Sequence, residues 1–430
     1  MDPAEHLFRR ESGRLVAALT RIFGVHNLAL AEDVVQDAFC RALEVWGFRG
    51  LPENPSAWLM MTAKRRALDV LRREQTARRF APEISRWIES EWTLSPAVDE
   101  MLAPAAIKDD LLRMMFTCCQ PRLSEEAQVA LVLNILCGFS VNEIAAAFLS
   151  GAGTIEKRIG RAKKALAASK DLFVLNEAEV PARLDAVHRA LYLLFNEGYH
   201  GASPEAVVRA ELCGEALRLT RLLLEHPATA TPASHALCAL MCLHAGRLPA
   251  KLNAAGGLTP LFDQDRSRWD GALLSEGFAQ LERSARGDWL SAYHVEAAIA
   301  CYHSTAARAE DTDWAGIAAQ YDILLALRPS PVVALNRAIA IAQHQGPEAG
   351  LAVLHAIEDP ERLASYPFYE AALGELELRC GRGITARPHF EAALKLARNP
   401  AERQYLEQKI VACDPGTSPA ALTRQPRVHH

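Results

Sequence analysis

The apolar residues of this 430-residue chain recur at the spacing of amphipathic helices over most of its length. From about residue 180 to 412, helix-like segments follow one another with short Gly or Pro turns, and no stretch shows the clean period-two alternation of a strand. We predict an all-α protein, with Ser56 and Thr154 as N-caps. In the first part of the chain the predicted helices are 5–23, 30–46, 57–74, 106–118, 124–137, 141–148 and 154–168.

The last third of the chain contains a degenerate internal repeat. Leu373 and Gly374 precede a turn at Gly381, which a second helical pattern follows through Ala386, Phe390, Ala393 and Leu394. These offsets fit the helix–turn–helix unit of tetratricopeptide repeats. One period earlier stands Gly346, and about two periods earlier stand Tyr321, Leu324, Leu325 and Pro329. We predict tetratricopeptide-like helices here and generic helices over 181–310.

Proline-rich and glycine-rich breaks divide the chain into segments. The predicted organisation is a first helical domain, a linker, a second helical domain with a helix-turn-helix, a helical extension and a flexible tail. Their expected bounds are 1–76, 77–105, 106–170, 181–415 and 416–430.

Composition supports a folded protein with two roles. Half of the residues are hydrophobic and 23% are charged, which excludes disorder as the main state. The net charge is −5, but residues 1–170 carry 23 Lys and Arg against 21 Asp and Glu, whereas residues 171–430 carry 24 against 31. A nearly neutral part with basic clusters therefore precedes an acidic part.

The sequence also indicates where the protein works. The first residues lack the apolar core of a signal peptide, and apolar runs such as 129–133 are far too short to span a bilayer. The ten cysteines show neither the spacing of a zinc ribbon nor that of a C-x-x-C pair. We expect a cytoplasmic protein with no membrane association, whose thiols are reduced and act as small core residues.

The helix predicted over 57–74 carries a basic cluster. Lys64, Arg65, Arg72 and Arg73 lie about two turns apart and suit the neutralisation of several phosphates. A solvated charged face is the alternative interpretation of such a run. Trp58 is either a stacking platform for an unpaired base or a core residue.

A helix-turn-helix pattern occupies 140–168. Ser140 and Glu143 have the spacing of a capping box, and a turn through Gly151 and Gly153 leads into a second helix. In this motif the second helix lies in the major groove, and its first residues reach base edges. The apolar positions predicted to face inward are Ile155, Ile159, Ala162 and Leu166.

Three segments together resemble the sigma factors of bacterial RNA polymerase: AEDVVQDAFCRALEVW, PSAWLMMTAKRRALDVLRRE and FSVNEIAAAFLSGAGTIEKRIGRAKKAL. The nearest type is the extracytoplasmic-function class, which keeps only the two DNA-binding sigma domains. The resemblance covers about residues 5–168. The second half, with its LFNEGYHGAS and DQDRSRWD stretches, resembles the tetratricopeptide-like extension of one subgroup of that class.

The resemblance implies a role for each segment. The helix 31–46 would dock on the clamp helices of the largest subunit of core RNA polymerase through Asp33, Gln36, Asp37 and Arg41. The second sigma domain would also contact the polymerase flap. The loop 47–55 and the next helix would open and hold the −10 promoter element through Trp58, Lys64, Arg65, Arg66, Asp69, Arg72 and Arg73. The helix-turn-helix would read the −35 element through Thr154, Glu156, Lys157, Arg158, Arg161 and Lys164.

The chain departs from the family pattern in two places. Arg65 stands where the family often has Asn. In the helix-turn-helix, Leu149 occupies the position of the usual turn glycine and Ser150 that of an apolar residue, so Gly151 is expected to take the left-handed conformation instead.

An enzyme is the first rival class. Two polar clusters, Glu197–Tyr199–His200 and Asp263–Asp265–Arg266, are better explained as inter-helix hydrogen bonds and salt bridges, because the chain shows neither a nucleophile with a positioned base nor a phosphate-cradling loop. His235, Cys238 and Cys242 share one helix face but are expected to be core residues rather than metal ligands. We therefore expect no enzymatic activity and no cofactor.

The second rival is a DNA-binding regulator that does not bind polymerase and uses the helical repeats as a sensor. The mostly acidic face at 31–46 favours a sigma factor, because a plain regulator needs no such docking face beside a basic helix. The extension is then expected to regulate the sigma domains in cis, as the target of a protein or small-molecule regulator.

Overall fold

The computed structural model describes residues 3–73, 104–148, 150–168, 180–200, 208–253, 259–287, 289–358, 360–364, 366–397 and 399–414. They form helices and turns, which confirms the all-α prediction. The described helices are α1 Pro3–Phe23, α2 Leu28–Arg49, α3 Pro55–Arg73, α4 Pro104–Cys118, α5 Glu125–Leu131, α6 Val141–Ala147, α7 Ala152–Ala167, α8 Val180–His200, α9 Ala210–Glu225, α10 Pro232–Ala245, α11 Leu248–Lys251, α12 Gly271–Ser284, α13 Ala292–Thr305, α14 Trp314–Leu327, α15 Pro331–Gln345, α16 Pro347–His355, α17 Pro367–Arg379, α18 Gly383–Lys395 and α19 Pro400–Ala412.

The chain divides into two compact units. The first contains Met1–Asn196 and Arg218–Ala230, and the second contains Glu197–Leu217 and Thr231–His430. Both predicted sigma domains therefore fall within one unit, together with most of α8 and half of α9. The predicted linker 77–105 lies almost wholly outside the described residues, as does the tail 416–430.

Within the first unit, α1 packs against α2 and α4, α2 packs against α3, and α5 and α6 pack against α7. A close approach joins the two halves of this unit: a Cβ placed on Gly13 of α1 would lie 2.4 Å from the backbone oxygen of Leu136. The segment 132–136 is a π-helical turn that follows α5, so the predicted helix 124–137 is a helix of seven residues with a widened end.

Local hydrogen bonds fix where the functional helices begin. The predicted capping box is present, because the Ser140 amide donates to Glu143 at 2.8 Å and the Glu143 amide donates to the Ser140 hydroxyl at 3.3 Å. The Ser56 prediction is wrong: α3 starts at Pro55, two residues before the predicted start, and the Asn54 side chain accepts from the Ala57 amide at 3.0 Å.

The turn before α7 also differs from the prediction. The helix begins at Ala152, so Thr154 lies inside its first turn and is not the N-cap. Gly151 is the N-cap residue, with an extended backbone at φ −71°, and not the left-handed conformation expected for it. Leu149 lies outside the described residues.

In the second unit α10 packs on both α12 and α13, whereas the later helices form a series. From α13 to α19, every helix contacts the next one, which is how helical repeats are built. Gly381 closes the α17–α18 turn at φ +76°, and Gly346 closes the α15–α16 turn at φ +102°. The ring of Phe390 lies 3.1 Å from the position of a Cβ on Gly374 and is fully buried. The small and bulky positions named in the sequence therefore form one helix pair.

Gly350 provides a stability test of this packing. A Cβ on Gly350 would lie 2.3 Å from the Cβ of Ala342, so Gly350→Ala must force α15 and α16 apart. We expect a loss of about 1–3 kcal/mol in the free energy of unfolding, measured by urea denaturation. The matched control is Gly271→Ala, because nothing lies within 4 Å of that Cβ position. Equal stability of the Gly350 variant and the control would contradict the close packing.

All ten cysteines lie in the described residues and none forms a disulfide. Among the described helices, none is both long enough and apolar enough to cross a bilayer.

Candidate nucleic-acid interface

Helix α2 separates a buried face from a polar face. Its buried residues are Leu28, Ala31, Val34, Val35, Ala38, Phe39 and Ala42. The four residues predicted to dock on polymerase are all exposed: Asp33, Gln36, Asp37 and Arg41. Arg41 pairs with Glu44 at 2.9 Å on the same face. The polar face is therefore available to a partner.

Helix α3 presents part of the predicted basic cluster on its surface. Arg65, Arg66 and Asp69 are exposed. The Arg66 Nε lies 2.7 Å from the Asp37 carboxylate, so one ion pair links the predicted promoter helix to the predicted docking helix. The side chains of Arg72 and Arg73 lie outside the described residues.

Lys64 does not lie on this surface. It is only 8% exposed, because it follows Met60 by four residues and precedes Ala67 by three, on the stripe that packs into the unit. Burial lowers the pKa of its ammonium group. The expected clustering of Lys64 with exposed Arg65 is therefore wrong for this conformation, since the helix turns the two side chains in different directions.

Aromatic and apolar side chains surround the α2–α3 loop. Trp58 is half-buried and packs edge-to-face on Trp46, with ring centroids 5.3 Å apart, so it is partly a packing residue. Phe48 is 94% exposed and Leu51 is 71% exposed. Both fall within the loop 47–55 that the resemblance assigned to strand opening, although neither was named individually. Phe48 lies in the last turn of α2 and not in the loop.

Helix α7 has the two faces that the sequence predicted. Ile155, Ile159, Ala162 and Leu166 are buried. The opposite face exposes Thr154, Glu156, Lys157, Arg161 and Lys164, and Arg158 is partly exposed. Arg161 donates to the Lys157 carbonyl at 3.3 Å and keeps an exposed side chain. This face suits a polyanionic groove.

One basic residue of α7 has a different role. Lys163 donates to the Glu32 carboxylate at 2.6 Å and to the Asn134 side chain at 2.9 Å. Burial raises the pKa of Glu32, and the neighbouring Lys163 opposes that rise. This ion pair joins α7 to α2 at Glu32, the residue that precedes the exposed Asp33.

The polar clusters of the second unit mostly make structural contacts. Asp265 accepts from the Ser267 amide at 3.0 Å, and Arg266 donates to the carbonyls of His303 and Ala306 at the end of α13. The His235 Nδ1 atom forms a hydrogen bond of 2.7 Å with the Gln280 Oε1 atom.

The cluster of potential metal ligands in this unit contains Glu276 in place of the His235 considered in the sequence. Cys238 and Cys242 are fully buried, and their sulfurs lie within 4.8 Å of each other and of a Glu276 oxygen, not of His235.

Comparison with known proteins finds matches to two parts of the chain. Residues 7–77 match the family model described as sigma-70 region 2, and residues 183–285 match a family of unknown function, DUF6596. An uncharacterised protein of Rhizobium meliloti is 39% identical over 408 residues, covering 94% of both chains. A protein of Mycobacterium tuberculosis named "Probable ECF RNA polymerase sigma factor SigI" is 27% identical over 197 residues, 46% of this chain and 62% of that protein. No solved structure matches the chain.

The class defined by these observations is a transcription initiation factor of the sigma-70 type, which is a non-enzymatic family. The chain belongs to the extracytoplasmic-function sigma factors that carry a C-terminal helical extension, here the DUF6596 region and the helices beyond it. Proteins of this family bind core RNA polymerase and promoter DNA.

Proposed function

We propose that the exposed faces of α2, α3 and α7 direct core RNA polymerase to promoters in the way that the family resemblance implies. The polar face of α2 docks on the clamp helices of the largest subunit, with Asp33 and Asp37 as its acidic contacts. Arg65, Arg66 and Asp69 of α3 face the −10 element. Arg158, Arg161 and Lys164 of α7 face the −35 element, and the helix-turn-helix domain also contacts the polymerase flap.

The observation that carries this proposal is the match between burial and chemistry in α7. Its apolar positions form the core contact, and its cations other than Lys163 fall on the opposite, open face. An amphipathic helix with a cationic outer face, preceded by a capped helix, can enter a major groove without loss of its own packing.

The loop between α2 and α3 supports a role in strand opening. Phe48, in the last turn of α2, and Leu51, in the loop that leads into α3, present apolar surface to solvent. An unstacked base gains a stacking partner on such a surface, while the exposed cations further along α3 hold phosphates. Within the segment 47–55 assigned to the −10 element, Phe48 and Leu51 are therefore the proposed contact residues. Lys64 is buried and can contact DNA only if α3 shifts on binding. The −10 contacts of Arg72 and Arg73 remain predictions from the sequence.

Simultaneous binding to both promoter elements requires the first unit to open. The −10 and −35 elements lie about 25 base pairs apart, which is roughly 85 Å of B-DNA. In this structure the two modules touch, through Lys163–Glu32 and through Gly13 against Leu136. Docking on polymerase and separation of the two modules are thus expected to be coupled steps.

The C-terminal extension is proposed to regulate these steps in cis. Residues 171–430 have a net acidic charge, and helical repeats present extended binding surfaces. An acidic region tethered to the promoter-binding helices can compete with DNA for them, and a regulator bound to the extension would change that competition.

A reconstituted system tests the sigma role. Purified full-length protein is mixed with core RNA polymerase, passed through size exclusion, and assayed for run-off transcripts from a promoter library. Co-elution with specific transcripts supports the proposal. DNA binding without co-elution would favour the regulator that never contacts polymerase.

The regulatory proposal is tested with a chain that ends at residue 230, which keeps every residue of the first unit. We expect its run-off yield to differ from that of the full chain by about fivefold or more. Circular dichroism of the shortened chain checks that the helices persist. Equal yields from two folded proteins would remove the cis-regulatory role and leave the sigma role intact.

A further inference from the structure

The second unit contains a cavity of about 570 Å³ that has no part in promoter binding. It lies among the ends of α8 and α10, the segment 259–264, and helices α15, α17 and α19. The DUF6596 match supplies one side and the repeat-like helices supply the other. Its size is that of a small-molecule site.

Two cations line one side of this cavity. Arg247 is 6% exposed and Lys251 is 9% exposed. Arg247 lies over the Trp269 ring at 5.7 Å, which orients its guanidinium group. Lys251 lies 3.3 Å above the Tyr199 ring centroid and donates to the Tyr199 carbonyl. Aromatic contacts and one carbonyl therefore hold the cations in place.

The cations lack a neutralising carboxylate among the groups that act on them. Burial lowers the pKa of Lys251 to about 7, and the positive charge of Arg247 contributes to this lowering. The Cys213 thiol is the one group that acts to raise this pKa. Among the described ion pairs, none joins Arg247 or Lys251 to an acid, although Glu402 also lines the cavity. Buried cations without acidic partners are costly unless an anion reaches them.

Two polar atoms at this wall also lack partners. Within the described residues, neither the Arg247 Nε nor the Gln264 Oε1 makes a hydrogen bond. Gln264 is 9% exposed, and its amide nitrogen is already used by the Thr259 carbonyl at 3.1 Å. One unpaired donor and one unpaired acceptor thus lie at the same cavity, and buried polar atoms are normally paired.

The remaining wall is largely apolar. It includes Leu261, Ile339, Pro367, Phe368 and Leu406. A ligand that fits has an anionic group at one end, a hydroxyl or N–H group beside it, and an aromatic or aliphatic body.

We propose that this cavity binds a small organic anion, whose charged group pairs with Arg247 and Lys251 while its apolar body packs on Phe368 and Ile339. A ligand hydroxyl or N–H donates to the Gln264 oxygen. The proposal that a ligand binds depends only on the structure of the cavity. Any effect of that ligand on transcription rests on the proposed cis regulation, in which this cavity is the regulator-binding site.

The test uses two fluorescent probes of similar body and different charge. One is 1-anilinonaphthalene-8-sulfonate, which carries a sulfonate and an N–H, and the other is N-phenyl-1-naphthylamine, its uncharged counterpart. Titration of the full-length protein, without polymerase, is expected to show saturable binding of the sulfonate at one site, about tenfold tighter or more than the neutral probe.

Variants then locate the site. Arg247→Gln should abolish the preference for the sulfonate, and Phe368→Ala should weaken both probes alike. The matched control, Arg403→Gln, removes an exposed arginine of α19 that does not line the cavity and should change nothing.

Equal affinity of the unaltered protein for both probes would overturn the proposal and indicate an apolar cavity whose polar atoms are hydrated. An unchanged titration of Phe368→Ala would also overturn it, because the probe would then lie elsewhere. The comparison on the unaltered chain decides even if Arg247→Gln does not fold. Because polymerase is absent, failure here is distinct from failure of the regulatory proposal.

Discussion

Alanine at both Arg158 and Arg161 is expected to reduce run-off transcription from a promoter with an intact −35 element by about 100-fold. Both residues lie on the outer face of α7, away from the buried Ile155 and Ile159, so the helix should keep its fold. A well-formed contact from an arginine to a base contributes roughly 1–3 kcal/mol of discrimination, and two lost contacts account for the expected loss.

The measurement compares an intact promoter with one whose −35 element is scrambled. The unaltered protein should prefer the intact sequence, and the double variant should treat both alike. Arg122→Ala is the control, because this arginine is exposed in the turn before α5 of the same unit. A double variant that still discriminates between the promoters would show that α7 does not read them.

The second large effect is expected for Asp33→Lys. Asp33 is exposed on the polar face of α2. If this face docks on a basic surface of polymerase, the introduced lysine faces like charges across the interface, which costs several kcal/mol of binding free energy. Affinity for core polymerase should fall by about 100-fold, measured by fluorescence anisotropy of labelled protein. Binding of the isolated protein to promoter DNA should not weaken.

Asp33 is a better test position than Asp37. Asp37 pairs with Arg66, so its replacement would disturb the docking face and the proposed promoter helix together. The control is Asp185→Lys, which reverses an exposed charge on α8 of the first unit. Equal loss of polymerase affinity in both variants would indicate a general charge effect and contradict a docking role for α2.

The exposed faces of α2 and α7 were predictable because they depend on local periodicity. In α7, apolar residues at 155, 159, 162 and 166 define one side of a helix, and the positions of the cations follow from that side alone. Helix ends were less predictable. Several side chains compete for the first amides of a helix, so Asn54 caps α3 where Ser56 was expected.

The candidate site also shows where local patterns fail. Lys64 has a charge that suits a phosphate and a position on the buried stripe of α3, and the packing of that stripe prevails over the charge. Phe48 in the last turn of α2 and Leu51 in the α2–α3 loop have side chains that suit a core, yet both are exposed to solvent. In each case the exposure of the side chain depends on which other elements pack against it, and the periodicity of its own segment does not show this.

By itself the sequence determined the all-helical class and the outward sides of α2 and α7, because a 3.6-residue period is a property of one segment. Only the tertiary structure decided which polar groups lose water. Lys163 meets Glu32 across more than a hundred residues of chain, and the cavity joins Arg247 and Lys251 to Phe368 and Leu406. The desolvation of a charge depends on every element packed around it, and those elements come from distant parts of the chain.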